Sequence, residues 1–245
     1  ASALLPARLP AEWEPQRTLW LSWPVSGWIW PGRRAEIEAV FATLAATAAR
    51  YQPVRINAAA AAHAEIAAAL RRAHAPMGLI DLVDLPTDDV WIRDHGPVLA
   101  ETADGRPLAL NWEFNAWGGK FEHFARDNAV PAALAAHAGL PCVSPRSGYI
   151  LEGGAIESNG AGTLLTTDPV LLHPGRNPGP TREAHLDILR AGLGVETVLS
   201  LPAGLPNDDT DGHIDNVARF TPGGAVLAVA DPALPGLDGN RMALE

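Results

Sequence analysis

The 245-residue sequence has an ordinary globular balance, with 47% hydrophobic and 19% charged residues, so it can form a sizeable core without disulfide support. Its net charge of −10 argues against nucleic-acid binding, which depends on Lys and Arg, and favours either a cationic partner or acidity that serves solubility. The single cysteine and the lack of any apolar run near the roughly 20 residues of a membrane span favour a protein of the reducing cytoplasm with no membrane partner.

Apolar periodicity and alanine content predict four helices, over residues 33–51, 61–74, 127–140 and 181–193. The first of these carries an apolar stripe at helical spacing, formed by Ile37, Val40, Phe41 and Leu44. In the third, Pro131 suits a first helical turn and Gly139 a C-terminal cap. The fourth begins after a proline, with Thr181 as its predicted N-cap.

Short β-prone runs lie between and after these helices. They are predicted as strands over residues 18–23, 53–57, 78–83, 106–112, 162–167, 195–201, 216–220 and 225–230. The alternation of strands and helices indicates an α/β class. The 22 prolines and 23 glycines fall mostly between these elements, as turn punctuation. No composition shift marks a linker, so residues 1–245 are interpreted as a single domain.

Four chemically unusual clusters recur along the chain. They are LSWP (21–24), WIRD (91–94), LEGG (151–154) and DGHID (211–215), and each lies near a predicted strand end. Successive clusters are roughly 60 to 70 residues apart, as expected if one strand–helix unit is repeated around a centre and each unit offers a loop to a shared site.

The WIRD cluster is interpreted as an extended run in which Trp91 and Arg93 alternate with Ile92 and Asp94. A buried tryptophan beside a surface Arg93–Asp94 pair would explain it without any function. The functional alternative makes Trp91 a pocket wall and Asp94 a carboxylate facing a ligand. An aromatic face with a carboxylate suits a flat cation.

Two glycine pairs follow. In the segment NWEFNAWGGKFEHF, the pair after Trp117 favours a β-turn with aromatic packing over close approach to a ligand. In YILEGGAIESNGAG, Glu152 lies in a predicted apolar strand, where it needs a partner, either an arginine of the protein or a cationic substrate. No Lys-Ser or Lys-Thr follows these glycines, so a nucleotide-phosphate loop is excluded.

The most acidic stretch is NDDTDGHIDN, residues 207–216. If HIDNVARF is extended, His213 and Asp215 project from the same face of a strand, and a histidine beside a carboxylate is a common acid–base arrangement. A solvated turn would explain the aspartates alone. A metal loop is the other alternative, but neither His-x-x-x-His nor EF-hand spacing is present, so no metal is expected.

Together these clusters predict a site for a positively charged group. Asp94, Glu152 and Asp215 come from three repeats, and two unpaired carboxylates about 4 Å apart repel by roughly 4 kcal/mol at an effective dielectric near 20. A bound guanidinium reverses this cost because its planar N–H donors match carboxylates bidentately.

In their order and spacing, WIRDHGP, FNAWGGK, LEGG and DGHID resemble the motifs of agmatine deiminases, which are grouped with the bacterial-type peptidylarginine deiminases. The resemblance extends from near Pro10 to the end of the sequence. It implies a pentein fold, a pentein-type α/β propeller of ββαβ repeats around a pseudo-fivefold axis. At roughly 65 residues per unit this sequence would hold about four units, an incomplete ring.

The resemblance also implies a reaction of putrescine and polyamine biosynthesis and of arginine catabolism. Agmatine is hydrolysed to N-carbamoylputrescine and ammonia through a cysteine thiouronium intermediate, with no metal or cofactor because the nucleophile is the protein's own. By similarity, Asp94 and Asp215 hold the guanidinium nitrogens. His213 protonates the departing ammonia and then activates water, and Glu152 orients the guanidinium or His213.

Further roles follow from the same resemblance. Trp91 lines the substrate channel, and Trp117 is placed with it among the substrate-binding residues. Asp209 is a weaker candidate for the far amine of agmatine. Arg93 is expected to be a structural ion-pair partner. A homodimer is one assembly that the sequence leaves open.

One part of the family pattern is missing. The nucleophilic cysteine belongs to a Gly-Gly-x-x-His-Cys segment, which this sequence lacks, and Cys142 lies between prolines and is expected to be a buried structural thiol. We therefore expect the natural protein to continue past residue 245 and the 245 residues alone to be inactive. The alternatives are a peptidylarginine deiminase and a non-enzymatic guanidine- or polyamine-binding module.

Overall fold

The computed structural model describes residues 4–25, 27–230 and 237–244, in which helices and strands alternate as the α/β class predicts. The strands are β1 (Leu19–Ser22), β2 (Val54–Ala58), β3 (Ile80–Asp84), β4 (Val98–Glu101), β5 (Pro107–Leu110), β6 (Cys142–Val143), β7 (Glu157–Ser158), β8 (Thr163–Thr167), β9 (Thr197–Leu201), β10 (Ala218–Phe220) and β11 (Val226–Ala228). The helices are α1 (Arg34–Ala48), α2 (His63–Arg72), α3 (Ile92–His95), α4 (Ala116–Gly119), α5 (Ala125–Ala138), α6 (Asp168–Leu171), α7 (Arg182–Leu193) and α8 (Leu237–Leu244). Within the described ranges, no helix combines the length and apolarity that a bilayer crossing requires.

The described strands form four small open sheets rather than one closed sheet. Strands β1, β2 and β3 are parallel. In the second and third sheets an antiparallel hairpin is followed by a helix and a parallel strand, in the orders β4-β5-β6 and β7-β8-β9. Strands β10 and β11 form a fourth, antiparallel pair. The middle sheets therefore have the expected ββαβ order, while the propeller and its number of units remain predictions.

The first sheet is covered by α1 and α2. Helix α1 is where the apolar pattern predicts it, but its buried face is alanine: Ala42, Ala45 and Ala49 are buried, whereas Val40 and Leu44 are 57% and 48% exposed. Small side chains let the helix backbone approach the sheet closely, so Val40 and Leu44 face solvent. Of the other two stripe residues, Ile37 is partly buried and Phe41 packs against the core of this sheet.

The helix ends are mostly as predicted. Thr181 caps α7, with its Oγ1 accepting from the backbone N–H of Ala184 at 3.3 Å. Gly139 ends α5 in the left-handed conformation at φ 66°. The prediction for Pro131 is wrong, because α5 begins at Ala125 and the proline lies in the helix interior. The turn before it is held by a tertiary contact, in which the Asp127 side chain accepts the backbone N–H of Asp88, in the loop between β3 and α3, at 2.7 Å.

Three predictions of extended backbone at the polar clusters are also wrong. Residues 92–95 form α3, and residues 214–216 form a 3₁₀ turn that His213 precedes. Glu152 is not in a strand but precedes a third such turn, at residues 153–155. Backbone hydrogen bonds close these turns locally, such as Asp94 N–H to Trp91 O at 2.9 Å. Short alternation of polar and apolar residues is compatible with a turn as well as with a strand.

The FNAWGGK segment is a helical turn with unusual backbone rather than the expected β-turn. Ala116 and Trp117 have φ of 55° and 57°, in the left-handed region that residues other than glycine rarely adopt. The expected aromatic packing is present, with the Phe114 and Trp117 rings edge to face at 5.2 Å.

Candidate active site

Three loops from three sheets converge at Gly154. A Cβ atom at this position would lie 2.4 Å from His213 Nδ1, 2.6 Å from Asp94 Oδ1 and 2.8 Å from Asp215 Oδ2. No side chain fits in that space, so glycine is required for the three polar groups to meet. Helix α3, the LEGG turn and the DGHID turn thus bring together the groups that the sequence placed in separate repeats.

Asp94 is buried and held by two neutral donors. The Trp117 Nε1–H donates to its Oδ2 at 3.1 Å, and the Gly154 N–H donates to its Oδ1 at 3.0 Å. Burial raises the pKa of Asp94 to about 6, with His213 opposing the rise and the charges of Glu152 and Asp215 adding to it. The hydrogen bonds that Asp94 accepts therefore come from neutral groups and not from a charged side chain.

Asp215 is less buried than Asp94, but its pKa is raised for the same main reason. Burial raises its pKa, while the charges of His213 and Arg93 partly oppose the rise. Arg93 Nε lies 3.9 Å away, too far for a hydrogen bond. Arg93 instead pairs with Glu12 of the N-terminal segment, in agreement with its expected role as an ion-pair partner.

His213 lies between two carboxylates. Its Nδ1 is 3.5 Å from Asp94 Oδ1, and its Nε2 is 3.9 Å from Glu152 Oε2. Burial lowers the pKa of His213, but Glu152, Asp94 and Asp215 outweigh that effect and raise it above its ordinary value. An imidazole in this field holds a proton at neutral pH more readily than a free histidine does.

Glu152 is fully buried, and its partner is Arg176. The Arg176 Nε–H donates to both carboxylate oxygens, at 2.8 and 3.1 Å, and Nη2 donates to the Thr210 carbonyl at 2.7 Å. Burial alone would raise the pKa of Glu152, but the contacts with His213 and the charge of Arg176 lower it. Of the two partners expected from sequence, the structure supplies the arginine.

These groups lie at one cavity of about 760 Å³. Its lining includes six of the seven predicted site residues, namely Trp91, Asp94, Trp117, Asp209, His213 and Asp215. Glu152 lies beneath the lining, behind His213. Trp91 is 46% exposed and forms an outer wall, whereas Trp117 is 6% exposed beside Asp94. Asp209 is exposed on the loop between β9 and β10.

The sequence interpretation missed Arg176 and part of the aromatic wall. Trp28, Trp30 and Phe121 also line the cavity, and the Trp28 and Phe121 rings lie 5.4 Å apart. The tryptophan pair in GWIWPG was a usable signal, because two large aromatic side chains in a turn are seldom without a surface to cover. Arg176 carried no comparable signal, since it stands alone between turn-forming glycine and proline residues.

The prediction that Cys142 is buried is wrong. Its side chain is exposed on β6, a two-residue edge strand. Cys142 does not line the cavity. Among the described residues, no three His, Cys, Asp or Glu side chains are arranged to hold a metal ion.

Curated relatives share this sequence over most of its length. The agmatine deiminase of Stutzerimonas stutzeri (strain A1501) is 38% identical over 231 residues, covering 92% of this chain and 61% of the relative. That of Pseudomonas aeruginosa (strain LESB58) is 37% identical over 235 residues, covering 91% and 61%. The chain thus spans about 60% of the length of these relatives.

Solved structures share the fold. The agmatine deiminase of Enterococcus faecalis superposes with a TM-score of 0.85 at 29% identity, covering 98% of this chain and 67% of that one. A cysteine-to-serine variant of the C. jejuni agmatine deiminase with substrate bound superposes with a TM-score of 0.80 at 28% identity, covering 97% and 70%. A family model described as Porphyromonas-type peptidyl-arginine deiminase matches residues 8–239. With the fold and the motifs in agreement, the chain belongs to the Porphyromonas-type peptidyl-arginine deiminase family.

Proposed function

We propose that this chain forms the guanidinium-binding and proton-transferring part of a hydrolase that converts agmatine to N-carbamoylputrescine and ammonia. The observation that carries the proposal is the meeting of Asp94, Asp215 and His213 at Gly154, at one cavity. No Lys or Arg among the described residues forms a hydrogen bond with Asp94 or Asp215. The site therefore has negative charge that a cationic ligand would balance.

Binding follows from the two aspartates. A guanidinium placed in the cavity donates N–H groups to Asp94 and Asp215. Its charge offsets the burial, and the lesser repulsion from Glu152 and Asp215, that raise the pKa of Asp94 to about 6. Trp117 holds Asp94 in place through its indole N–H, and Trp91 covers the ligand from the solvent side. Planar aromatic walls and carboxylates together select a flat cation.

The chemistry requires a nucleophile and a proton carrier. A cysteine thiolate attacks the guanidinium carbon, and the tetrahedral adduct expels ammonia as His213 donates a proton to the departing nitrogen. This leaves a thiouronium. His213 then removes a proton from water, which attacks the same carbon and releases the urea product and the thiolate. Glu152, fixed by Arg176, stabilises the positive charge of His213 before the first proton transfer and after the second.

The thiol must come from elsewhere than Cys142, which is exposed and not part of the cavity. We propose that it comes from a cysteine outside these 245 residues, and that the 245 residues alone are inactive. Two findings support this: the curated relatives are longer, and a cysteine-to-serine agmatine deiminase of C. jejuni was solved with substrate bound.

The distal end of the substrate decides between two candidates. Asp208 and Asp209 line the cavity and suit the primary amine of agmatine, which favours that substrate. The family description and the presence of Arg93 in the lining favour peptidylarginine as the second candidate. A protein that lacks the thiol would bind guanidines or polyamines without turnover.

Ammonia release by the full-length protein, as its gene encodes it, separates these cases. We expect turnover of agmatine and none of a blocked arginyl peptide. The reverse preference would establish the peptidylarginine alternative. Saturable agmatine binding without turnover would establish the binding module, and the absence of both binding and turnover would refute the guanidine site.

A further inference from the structure

Lys120 is the single lysine among the 18 lysines and arginines of the sequence, and it ends the FNAWGGK motif. Its Nζ donates to the Asp209 carbonyl at 2.5 Å and lies 2.8 Å from Asp211 Oδ2. A compact ammonium has three donors that can reach two oxygens of one loop, whereas a planar guanidinium requires acceptors matched to its fork. Lys120 therefore connects the turn that carries Trp117 to the loop that carries His213.

The same Asp211 oxygen contacts a third loop. His173 Nε2 lies 3.1 Å from Asp211 Oδ2, and His173 Nδ1 accepts the backbone N–H of Gly175 at 3.1 Å. Because Nδ1 accepts this hydrogen bond, Nε2 is the ring nitrogen that approaches Asp211. His173 precedes Arg176, the partner of Glu152, by three residues.

Close backbone packing reinforces these polar contacts. A Cβ atom at Gly118 would lie 2.6 Å from His173 Cε1, so the turn fits against the imidazole only as glycine. The Asn115 side chain accepts from the Gly118 N–H and donates to the Gly175 carbonyl, both at 2.9 Å. The three loops are therefore in contact through backbone as well as charge, and a shift of one displaces the others.

We propose that Lys120, Asp211 and His173 form a clasp of positioning residues that aligns the loops bearing Trp117, Arg176 and His213 around the site. None of the three lines the cavity, so none touches the ligand. Its consequence for catalysis rests on the proposed guanidine hydrolase function, but the alignment itself does not.

The clasp acts on distances that matter for proton transfer. His213 is 3.5 Å from Asp94 and 3.9 Å from Glu152, and small displacements of a proton carrier are costly for rate. Ligand binding depends on Asp94 and Asp215, which the clasp reaches only indirectly, through Trp117 and through the loop that carries His213. Loss of the clasp should therefore reduce kcat more than it raises KM.

The test compares Lys120→Met, Lys120→Arg and Asp211→Asn in the full-length protein, with Arg106→Met as the control. Arg106 forms an exposed ion pair with Asp104 on the β4–β5 hairpin. We expect Lys120→Met and Asp211→Asn to lower kcat for agmatine by about tenfold to hundredfold, and Lys120→Arg to recover part of the loss. The limb of the kcat/KM profile that reports His213 should move to lower pH, because the carboxylates that raise its pKa are less well aligned.

Hydrogen exchange provides a measurement that does not depend on activity. In Lys120→Met, exchange should become faster in residues 115–120, 173–177 and 207–213 together, and stay unchanged in the control. Faster exchange near Lys120 alone, or in none of these segments, would overturn the clasp. So would a fall in activity that only follows the fraction of folded protein and leaves the pH profile unmoved. If the wild type neither binds nor converts agmatine, the proposed function is wrong, and the exchange result still decides the clasp.

Discussion

Glu152 and Asp94 contact opposite nitrogens of the same imidazole, and both carboxylates are removed from solvent. Glu152 has an arginine bonded to both of its oxygens, and its pKa is lowered. Asp94 receives only the N–H groups of Trp117 and Gly154, and its pKa is raised to about 6. Burial raises the pKa of both, but at Glu152 the contact with His213 and then the charge of Arg176 outweigh it. Asp94 has no such arginine, and the charges of Glu152 and Asp215 raise its pKa further.

The contrast separates a structural carboxylate from a binding one. A buried carboxylate with its own cation is satisfied in the free protein and has little to gain from a ligand. A buried carboxylate without its own cation destabilises the free protein, and a cationic ligand offsets that destabilisation. Asp94 and the partly buried Asp215 are closer to the second kind, because neither accepts a hydrogen bond from an arginine or lysine among the described residues. For this reason they, rather than Glu152, are proposed to hold the guanidinium.

The largest effect should come from removing the arginine. In Arg176→Met, Glu152 is left buried without its partner, so we expect the free energy of unfolding to fall by about 3–5 kcal/mol. Urea unfolding of the full-length protein measures the change. The double variant Arg176→Met with Glu152→Gln should recover part of it, and Arg106→Met should show no measurable change. Equal stability of Arg176→Met and wild type would contradict the pairing.

The next largest effect is expected at His213, the histidine between the two carboxylates. His213→Ala removes the proposed proton carrier but neither aspartate, so kcat should fall by about 10²- to 10⁴-fold while much of the agmatine binding remains. Steady-state kinetics with calorimetric binding separates the two, and His137→Ala, a partly exposed histidine on α5, is the control. Near-normal turnover in His213→Ala would remove it from the mechanism.

Acidification should weaken agmatine binding through Asp94. The cation requires the ionised carboxylate, so affinity should fall by up to about tenfold per pH unit below about pH 6. Asp94→Asn should bind weakly at every pH and lose much of this dependence, whereas Asp104→Asn on the exposed hairpin should behave as wild type. An affinity that stays constant from pH 7 to pH 5 would show that Asp94 does not bind the cation.

The contributions of Asp94 and Glu152 to the free energy of unfolding should depend on pH in opposite directions. Because the pKa of Asp94 is raised, its contribution is full below the ordinary aspartate pKa and is lost as pH rises toward 6. Because the pKa of Glu152 is lowered, its contribution is present above the ordinary glutamate pKa and is lost as pH falls through its folded value. Urea unfolding of Asp94→Asn and Glu152→Gln across this range should show the two signs.

The smallest effect is expected at Asp209. Its carboxylate is exposed, so an ion pair with the distal amine of agmatine is screened by solvent, and Asp209→Asn should weaken agmatine by only a few-fold, roughly fivefold at most. Affinity for butylguanidine, which lacks the amine, should not change. An equal loss for both ligands would show that Asp209 acts on the loop rather than on the amine.

The predictability of the fold differs between long and short elements. Helix α7 was predicted to within one residue, because its period, its Thr181 cap and its following glycine agree. The short turns at residues 92–95 and 214–216 were predicted as extended, since four or five residues of alternation do not distinguish a turn from a strand. His213 and Asp215 nevertheless lie at the same cavity, because the 3₁₀ turn orients both toward it.

The sequence by itself determined the α/β class, most helices and strands, and the set of polar residues that meet at the cavity, because these depend on local periodicity and on motifs whose chemistry is visible in the residues. Only the tertiary structure decided that Arg176 neutralises Glu152, that Cys142 is exposed, and that Lys120 connects two loops. Those outcomes depend on contacts between residues far apart in the chain, and such contacts arise from packing, which no local pattern encodes.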